Sequence, residues 1–447
     1  MSNISRRKFM LTASATTLGT LLVHGCGSEP PPSATSTTAS TSTSASATPA
    51  VNVSAADAPE VKTAKLGFIA LSDFAPLAIA KEKGMFAKYG MPDVEVIKQK
   101  SWGATRDNLE LGAENGGIDG AHILTPMPYL ISLGKITKGN KPVPMNILLR
   151  LNVNGQAISV ANSYKDLKLR LDTSVIKDKV MKAKAAGTPM TFAETFPGGT
   201  HWAWIRYWLA AGGIDPDNDV KTITVPPPQM VANMKLGNMD GFCVGEPWNL
   251  QLVNQDVGYS ALTTGELWNR HPEKSFAMRA DFVEKNPKAT KSLVKAILEA
   301  QMWCDKPENK KEMCEILSKP DWIKVPVADI IDRSKGSFKY GDDRPVADNS
   351  PHVMQYWTDG ASFPYKSHDK WFLTEHIRWG VLPGDTDYKI IDKVNRSDIW
   401  KECAKEIGQE AAIPKSDSRG IEKFFDGIEF DPEKPEAYLK SVKIKKV

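Results

Sequence analysis

The chain has 447 residues, of which 41% are hydrophobic, 25% are charged and 8% are aromatic, and this ordinary globular composition excludes disorder throughout. A formal net charge of +4 lacks the basic bias of a nucleic-acid-binding protein, and five cysteines are too few for a disulfide-built scaffold. The length by itself predicts two or three domains.

The N-terminus has the parts of an export signal. Arg6 and Arg7 precede a mildly apolar run from Leu11 to Val23. Paired arginines before such a run are typical of a twin-arginine signal, and the run is too short and too polar to span a membrane. It ends at Gly25-Cys26, which resembles a bacterial lipobox. The resemblance implies cleavage after residue 25 and lipid chains on Cys26, which would anchor the protein to a membrane.

The next segment is predicted to be a tether. Residues 27–60 contain mostly Ser, Thr, Ala, Pro, Val and Gly. A stretch with so few bulky apolar side chains cannot offset the entropy lost on ordering. We therefore expect residues 26–60 to be a disordered connection between the lipid and a folded body.

The body alternates strands with helices. In the first part, strands are predicted at 65–70, 94–98 and 121–124, and helices at 76–89 and 105–111. In the second part, strands are predicted at 156–160, 189–192, 220–225 and 242–244, and helices at 201–211 and 229–236. This alternation predicts an α/β protein with parallel or mixed sheets covered on both faces.

Two segments of the body echo each other. Asn108–Gly112 leads into an Asp-Gly turn and an apolar strand that ends at Pro126, and Asn233–Gly237 leads through the same arrangement to Pro247. Two similar α/β lobes would produce this echo, although any helix–turn–strand unit uses such residues.

After residue 244 the pattern becomes mainly helical. Helices are predicted at 289–304 and 309–317, and residues 320–447 mix helices with Pro-rich loops and no clear repeat. Cys304 and Cys314 flank a loop, so they form either a disulfide in an oxidising compartment or two buried thiols.

No enzymatic signature is present in the sequence. It lacks a P-loop, a dinucleotide fingerprint, a G-x-S-x-G elbow and an H-E-x-x-H motif, and its seven histidines show no pair at metal-ligand spacing. The pattern therefore favours a binding protein, and we expect no cofactor and no resident metal ion.

Several residues at predicted strand and helix ends are candidates for ligand contact. His201 lies in the first turn of a helix entered through 196–201 (FPGGTH), where free N–H groups favour an anion. Trp102 follows the second strand, at the edge where open α/β sheets bind ligands. Gln156 and Gly245 lie where the chain should pass between two lobes, and Lys274 is an anion partner or an exposed charge. For the four candidates other than Lys274, the alternative is a purely structural role.

Six stretches together resemble the cyanobacterial nitrate/nitrite-binding lipoproteins of ABC importers. They are 67–73 (GFIALSD), 101–108 (SWGATRDN), 117–128 (GIDGAHILTPMP), 196–201 (FPGGTH), 242–248 (FCVGEPW), and 265–268 (GELW) with 271–274 (HPEK).

The resemblance implies a two-lobed periplasmic binding fold of the C-clamp type II class, with extra C-terminal helices. We expect a signal at 1–25, a tether at 26–60, a first lobe at 61–154, a second lobe at 155–244, and a return to the first lobe with a helical wrap at 245–447. It also implies partnership with an ABC permease and ATPase subunits, a monomer, no nucleic acid, and a lipid anchor at the periplasmic face of the inner membrane.

The same resemblance implies the ligand and its site. In the nitrate-binding branch the anion is held by residues that match Trp102, Gln156, His201, Gly245 and Lys274. Such a ring presents donors only, which suits nitrate or nitrite because these anions only accept hydrogen bonds. Bicarbonate also carries an O–H, and leaving it unpaired costs about 1–3 kcal/mol.

Three other functions are alternatives to the binding of nitrate. The main alternative is a calcium-dependent bicarbonate-binding protein of the paralogous importer, whose branch has an acidic residue at the position of Lys274. An enzyme on the same fold would need reactive side chains in the cleft and a cytosolic address. A binder of organic sulfonates would need a larger apolar pocket than this one.

Overall fold

A computed structural model describes Ser54 and residues 56–446. The predicted export signal, Cys26 and nearly all of the predicted tether lie outside the described residues. The strands are β1 (Thr63–Phe68), β2 (Asp93–Lys98), β3 (Gly120–Leu124), β4 (Met145–Val153), β5 (Gln156–Ala161), β6 (Thr191–Glu194), β7 (Lys221–Thr224), β8 (Gly241–Gly245), β9 (Gly258–Thr263), β10 (Pro272–Arg279), β11 (Glu422–Lys423) and β12 (Glu429–Phe430).

The helices cover both sheets and make up most of the C-terminal part. They are α1 (Ala75–Glu82), α2 (Met85–Lys88), α3 (Trp102–Leu111), α4 (Met127–Ser132), α5 (Lys177–Ala185), α6 (Thr200–Ala211), α7 (Met230–Lys235), α8 (Trp248–Asn254), α9 (Thr264–Leu267), α10 (Ala280–Lys285), α11 (Pro287–Asp305), α12 (Lys310–Leu317), α13 (Ile331–Ser334), α14 (Lys366–Arg378), α15 (Ile390–Val394), α16 (Ser397–Glu406) and α17 (Pro435–Ser441).

The two main sheets have the same construction. The first has the order β2-β1-β3-β10-β4 and the second the order β7-β6-β8-β5-β9. In each, three parallel strands are followed by one antiparallel strand at the fourth position and a fifth strand antiparallel to that one. The echo in the sequence corresponds to this repeat, because β3 and β8, which end the two echoing segments, hold the same central position.

The chain crosses between the sheets twice, and the crossings lie side by side. It leaves the first sheet between β4 and β5, through Asn154 and Gly155, and returns between β9 and β10. The Asn154 N–H donates to the carbonyl of His271 at 3.1 Å, and the Arg270 N–H donates to Asn154 Oδ1 at 2.9 Å. The two adjacent crossings thus form one connection between the sheets, and they are hydrogen-bonded to each other.

The C-terminal part joins both hydrophobic cores. Trp400 and Cys403 of α16 pack in the core of the first sheet, where α11 also lies. Trp371 of α14 and Tyr438 of α17 pack in the core of the second sheet. Helices of the C-terminal part therefore pack against the cores of both sheets.

Most predicted elements are present, but one predicted helix is divided and several elements were not predicted. The predicted helix at 76–89 is two helices, α1 and α2, because Gly84 adopts a left-handed φ of 67° between them. The sequence analysis missed β4, β9 and β10, whose apolar residues do not alternate with polar ones because these strands are buried on both faces.

β9 also changes the expected path of the chain. The sequence analysis placed the return to the first lobe at residue 245, but β9 pairs with β5 in the second sheet. The first strand back in the first sheet is β10, which starts at Pro272.

The cysteines and the helices of the described part settle two smaller points. Cys243, Cys304, Cys314 and Cys403 are free, buried thiols, so Cys304 and Cys314 follow the second of the two expected alternatives. Among the described residues, every helix is too short or too polar to cross a lipid bilayer.

Candidate functional site

The candidate site lies where the strands of both sheets end. Trp102 is the first residue of α3, and the Ser101 hydroxyl caps this helix by accepting from the Ala104 N–H at 3.1 Å. His201 is the second residue of α6, which starts at the end of the β6 loop. Both side chains are fully buried. Two helix starts, one from each sheet, therefore bring an indole and an imidazole into the same interior region.

Gln156 and Gly245 are cross-strand neighbours at the end of the second sheet. They face each other in the antiparallel pair of β5 and β8. A methyl group on Gly245 would lie 3.4 Å from Gln156 Nε2 and 3.0 Å from Asp73 Oδ2. Glycine at this position therefore leaves the space between the Gln156 amide and the first sheet free of a side chain.

Lys274 is the centre of the site. It lies in β10 and is fully buried, which excludes the alternative of an exposed surface charge. Its Nζ lies 2.9 Å from Asp73 Oδ2, 3.0 Å from Glu273 Oε1 and 5.8 Å from the centre of the Trp102 ring. His201 Nε2 lies 4.0 Å from the same Glu273 oxygen. The structure thus brings all five residues of the expected site together.

Several buried polar atoms of this region have no hydrogen-bond partner within the described part of the chain. They include Trp102 Nε1, His201 Nε2 and both polar atoms of the Gln156 amide, together with the Ser72 hydroxyl. A buried polar atom without a partner costs about 1–3 kcal/mol, so a group of them in one place indicates a site for a polar ligand.

Two carboxylates correct the expectation that the site presents donors only. Asp73, which follows β1, and Glu273 of β10 are both buried beside Lys274. The sequence analysis missed them as site residues. Asp73 follows a strand end as Trp102 does, so the same signal would have found it. Glu273 could have been identified as a site residue only if strand β10 had been predicted.

Each carboxylate oxygen is nevertheless engaged by the protein. His122 Nε2 lies 2.6 Å from Asp73 Oδ1, and Lys274 lies against Oδ2. The Thr200 hydroxyl and Lys274 donate to Glu273 Oε1, and the Trp204 indole donates to Oε2 at 3.0 Å. Asp73 Oδ2 is in ion-pair contact with Lys274 but has no hydrogen bond of regular geometry. The other unpartnered atoms are the indole, imidazole and hydroxyl groups and the Gln156 amide, whose Oε1 is an acceptor and whose Nε2 is a donor.

A β-bulge explains how Glu273 and Lys274 face the same region. Successive side chains of a regular strand point to opposite faces. In the pairing of β10 with β4, Pro272 faces Val153 and Lys274 faces Asn152, which leaves Glu273 as an extra residue. Bulges of this kind re-aim a side chain and are common beside functional sites.

Burial and charge set the protonation of these groups. Burial alone would lower the pKa of Lys274, but Asp73 and Glu273 outweigh burial and raise it. Burial raises the pKa of Glu273 against the opposing effects of Lys274, Thr200 and Trp204. The pKa of Asp73 is lowered, because Lys274 and His122 together outweigh its burial. The lysine is therefore charged, and its charge is shared between two acids.

The imidazoles are neutral. Burial lowers the pKa of His201 well below its ordinary value, and the charge of Lys274 lowers it further. Burial also lowers the pKa of His122 despite the neighbouring Asp73. Thr195 Oγ1 is hydrogen-bonded to His201 Nδ1. When this hydroxyl donates, the proton of the neutral ring lies on Nε2, and Nε2 is then a donor toward a ligand.

Metal binding requires a different arrangement. No group of three or more His, Cys, Asp or Glu side chains among residues 56–446 is placed to hold a metal ion. The carboxylates of Asp73 and Glu273 instead lie against the Lys274 ammonium group, which is the cation that they bind.

Contacts between the two sheets close the region around the site. The Ser72 N–H donates to the Glu246 carbonyl at 2.6 Å, and the Trp248 indole donates to the Ala70 carbonyl at 3.0 Å. A methyl group on Gly199 would lie 2.6 Å from Leu124 of β3. The site is therefore enclosed by direct contact between segments of the first and second sheets.

Comparisons with known proteins agree with this architecture. The profile described as NMT1-like family matches residues 57–318. The nitrate/nitrite binding protein NrtA of Synechocystis sp. is 60% identical over 452 residues, covering 100% of both chains. The bicarbonate-binding protein CmpA of Synechococcus sp. is 44% identical over 453 residues, covering 99% of this chain and 98% of its own.

A solved structure and a longer relative add to these. The crystal structure of the periplasmic nitrate-binding protein NrtA from Synechocystis PCC 6803 has a TM-score of 0.84 at 64% identity, covering 87% of this chain and 100% of its own. The nitrate import ATP-binding protein NrtC of Synechocystis is 35% identical over 84% of this chain, which spans 54% of NrtC. The expected two-lobed periplasmic binding fold is confirmed by this structural match. The chain therefore belongs to the NMT1-like family.

Proposed function

We propose that this protein captures nitrate, and nitrite, in the periplasm and delivers it to an ABC-type importer. The observation that carries the proposal is the set of buried, unpartnered groups of Trp102, Gln156 and His201 around the charged Lys274. Both sheets contribute to this set, as a ligand held between two lobes requires. The similarity to a nitrate/nitrite binding protein supports a role in binding.

The chemistry of nitrate fits these groups. Nitrate is a flat monoanion that accepts hydrogen bonds from every direction in its plane and donates none. The indole N–H, the NH₂ end of the amide, the imidazole Nε2–H and the lysine ammonium are all donors. Asp73 and Glu273 lie against Lys274, and the Trp204 indole also donates to Glu273. With the NH₂ end of Gln156 turned toward the ligand, the free N–H groups favour a ligand that only accepts hydrogen bonds.

The similarity to nitrate-binding relatives supports this choice over bicarbonate. Identity to NrtA of Synechocystis is 60%, against 44% to CmpA of Synechococcus. Lys274 also stands where the bicarbonate branch is expected to have an acidic residue. The similarity to the ATP-binding protein NrtC supports a partner ATPase and permease of the same importer.

The cellular location belongs to the proposal. The relative with the solved structure is described as periplasmic. Together with the predicted twin-arginine signal and lipobox, this supports a protein anchored by lipid on Cys26 at the periplasmic face of the inner membrane. The predicted monomeric state belongs to the same proposal. The ligand would then reach an importer in the same membrane without diffusion of the binding protein into bulk solution.

Calorimetric titration tests the ligand directly. We expect saturable heat with nitrate at micromolar concentrations in the absence of calcium, and a smaller or absent response to bicarbonate. Binding of bicarbonate that requires calcium would instead support the alternative function. A flat titration with nitrate and nitrite would overturn the proposal.

Trp102→Phe provides the first variant. It removes the indole N–H and keeps an aromatic ring in the same place. Loss of a hydrogen bond to a charged ligand costs about 1.5–3 kcal/mol, so nitrate affinity should fall by about 10- to 150-fold. Trp303→Phe, at a half-buried position outside the site, is the control and should bind as the unaltered protein does.

A further inference from the structure

The proposed anion site contains more acidic than basic side chains. The site contains one cation, Lys274, and two buried carboxylates, Asp73 and Glu273. Three histidines lie beside the carboxylates, His122, His201 and His271. Burial lowers the pKa of each, so all three are neutral. With both carboxylates ionised, the site carries one unit of net negative charge before an anion enters it. The lowered pKa of Asp73 and the raised pKa of Glu273 make Asp73 the more firmly ionised of the two. A site that only attracts anions strongly would instead carry a net positive charge.

The two carboxylates hold the lysine from different directions. Asp73 reaches Nζ from the segment after β1, and its position is fixed by His122, whose Nδ1 lies 3.4 Å from the Ile69 N–H. Glu273 reaches Nζ from the bulge in β10 and is fixed by Thr200 and Trp204 of α6. The Lys274 ammonium donates to Glu273 Oε1 and is in ion-pair contact with Asp73 Oδ2. Its remaining N–H groups are available to a ligand.

We propose that Asp73 and Glu273 are specificity-determining positioning residues, which hold Lys274 between them and restrict the site to singly charged oxyanions. This inference rests on the proposed function and extends it to the choice among anions. The carboxylates do not need to touch the ligand to act in this way. They act through Lys274 and through their charge.

The physical reason is the dependence of repulsion on ligand charge. Nitrate and sulfate use the same donors, but a dianion is repelled twice as strongly by each carboxylate. At an effective dielectric constant of about 20, two unit charges about 5 Å apart interact strongly enough to change an equilibrium constant by about 100-fold. One carboxylate in the site thus disfavours a dianion relative to a monoanion by about that factor.

The test measures nitrate and sulfate binding to the full-length protein and to two charge-neutral variants, Asp73→Asn and Glu273→Gln. In each variant we expect the ratio of sulfate to nitrate dissociation constants to fall by about 100-fold. In the charge-conserving variants Asp73→Glu and Glu273→Asp, we expect sulfate to stay excluded even where nitrate binds more weakly. A purely structural role for the acids would weaken both anions together and leave the ratio unchanged.

Asp369→Asn is the matched control. Asp369 is as deeply buried as Glu273, but it pairs with Arg150 in a different part of the first lobe. This variant should lose stability without changing the ratio. Thermal unfolding of each variant shows whether it is folded at the temperature of the titration. Asp73→Asn and Glu273→Gln test the inference independently, so one folded neutral variant is sufficient.

The outcomes separate this inference from the proposed function. If the unaltered protein binds no nitrate, the proposed function fails, and the gain of sulfate binding in the neutral variants still decides the role of the carboxylates. If the unaltered protein binds nitrate and the ratio is unchanged in folded Asp73→Asn and Glu273→Gln, the inference is overturned. A sulfate affinity equal to that for nitrate in the unaltered protein would overturn it as well.

Discussion

At the scale of single residues, the site depends on how each donor is oriented. His201 is neutral, so only one of its ring nitrogens carries a proton. Thr195 contacts Nδ1, and Nε2 has no partner in the described part of the protein. The threonine hydroxyl therefore decides whether His201 presents a donor or an acceptor to a ligand.

Thr195→Val should change the function of His201 without removing its ring. Valine has the same shape but cannot donate to Nδ1, so the proton of the ring is free to move from Nε2. We expect nitrate affinity to fall toward that of His201→Ala, which should lose about 1.5–3 kcal/mol of binding free energy. Thr195→Ser keeps the hydroxyl and should bind nearly as well as the unaltered protein. Equal affinity in the valine and serine variants would contradict this role.

Glu194 provides a prediction about pH and stability. Burial raises its pKa from 4.5 to about 7, although Thr224 donates to it and Arg206 is nearby. Between about pH 4.5 and pH 7 the folded protein keeps a proton that the unfolded chain has released. Rising pH should therefore lower the free energy of unfolding across this window, by up to about 3 kcal/mol.

Glu194→Gln removes this dependence. The variant should be more stable than the unaltered protein at pH 8 and similar to it at pH 4, as measured by thermal or denaturant unfolding. Glutamine can still accept the Thr224 hydrogen bond. A variant that is equally destabilised at both pH values would show that the carboxyl group is not neutral in the folded protein.

At the scale of elements, the close approach of the β6–α6 loop to β3 holds the two halves of the site together. Gly199 precedes α6, and a methyl group there would lie 2.6 Å from Leu124 Cδ1 and 3.0 Å from the Phe196 carbonyl oxygen. A side chain at this position would separate the start of α6, which carries His201, from the first sheet.

Gly199→Ala should therefore weaken ligand binding more than it destabilises the fold. Overpacking of this kind typically costs about 1–3 kcal/mol. Because the added methyl group lies between segments of the two sheets, we expect a loss of at least about tenfold in nitrate affinity. Gly103→Ala is the control, since its methyl group would meet only the Ser101 hydroxyl, at 3.6 Å. Unchanged affinity in Gly199→Ala would show that α6 does not need this approach.

At the scale of the whole molecule, the C-terminal part is a structural component of both lobes. Trp371 of α14 is fully buried among Trp204, Trp268 and Phe424, which belong to the second lobe and to the C-terminal part itself. On the same helix, Asp369 pairs with Arg150 of the first sheet. One helix thus contacts both lobes beside the crossings.

Trp371→Ala should destabilise the entire protein. Replacing a buried tryptophan by alanine costs about 3–5 kcal/mol, which should lower the thermal midpoint measured by calorimetry. Ile421→Ala, at a position that is 55% exposed, should have little effect and serves as the control. A second, separate transition in the variant, with the first lobe unchanged, would show that the C-terminal part stabilises only one lobe.

The sequence by itself determined the elements with local signals. Pro and Gly at helix ends, apolar runs and the echo between two segments predicted most strands and helices of the first 250 residues and the two-lobed arrangement. Those signals are local because capping, turn formation and helix periodicity depend on neighbouring residues. The residues Trp102, Gln156, His201, Gly245 and Lys274 were also named from the sequence, mainly through the resemblance.

Only the tertiary structure decided the rest. The sequence of β10 gives no local indication of a buried strand, because Glu273 and Lys274 are charged. They are buried because they pair with each other and because Lys274 pairs with Asp73. The bulge of β10 depends on pairing with β4, and the ion pair of Lys274 with Asp73 joins residues that are distant in the chain. The charge of the site follows from that pairing. Burial decides whether a charged side chain is a surface group or the centre of a binding site, and burial is a property of the folded molecule.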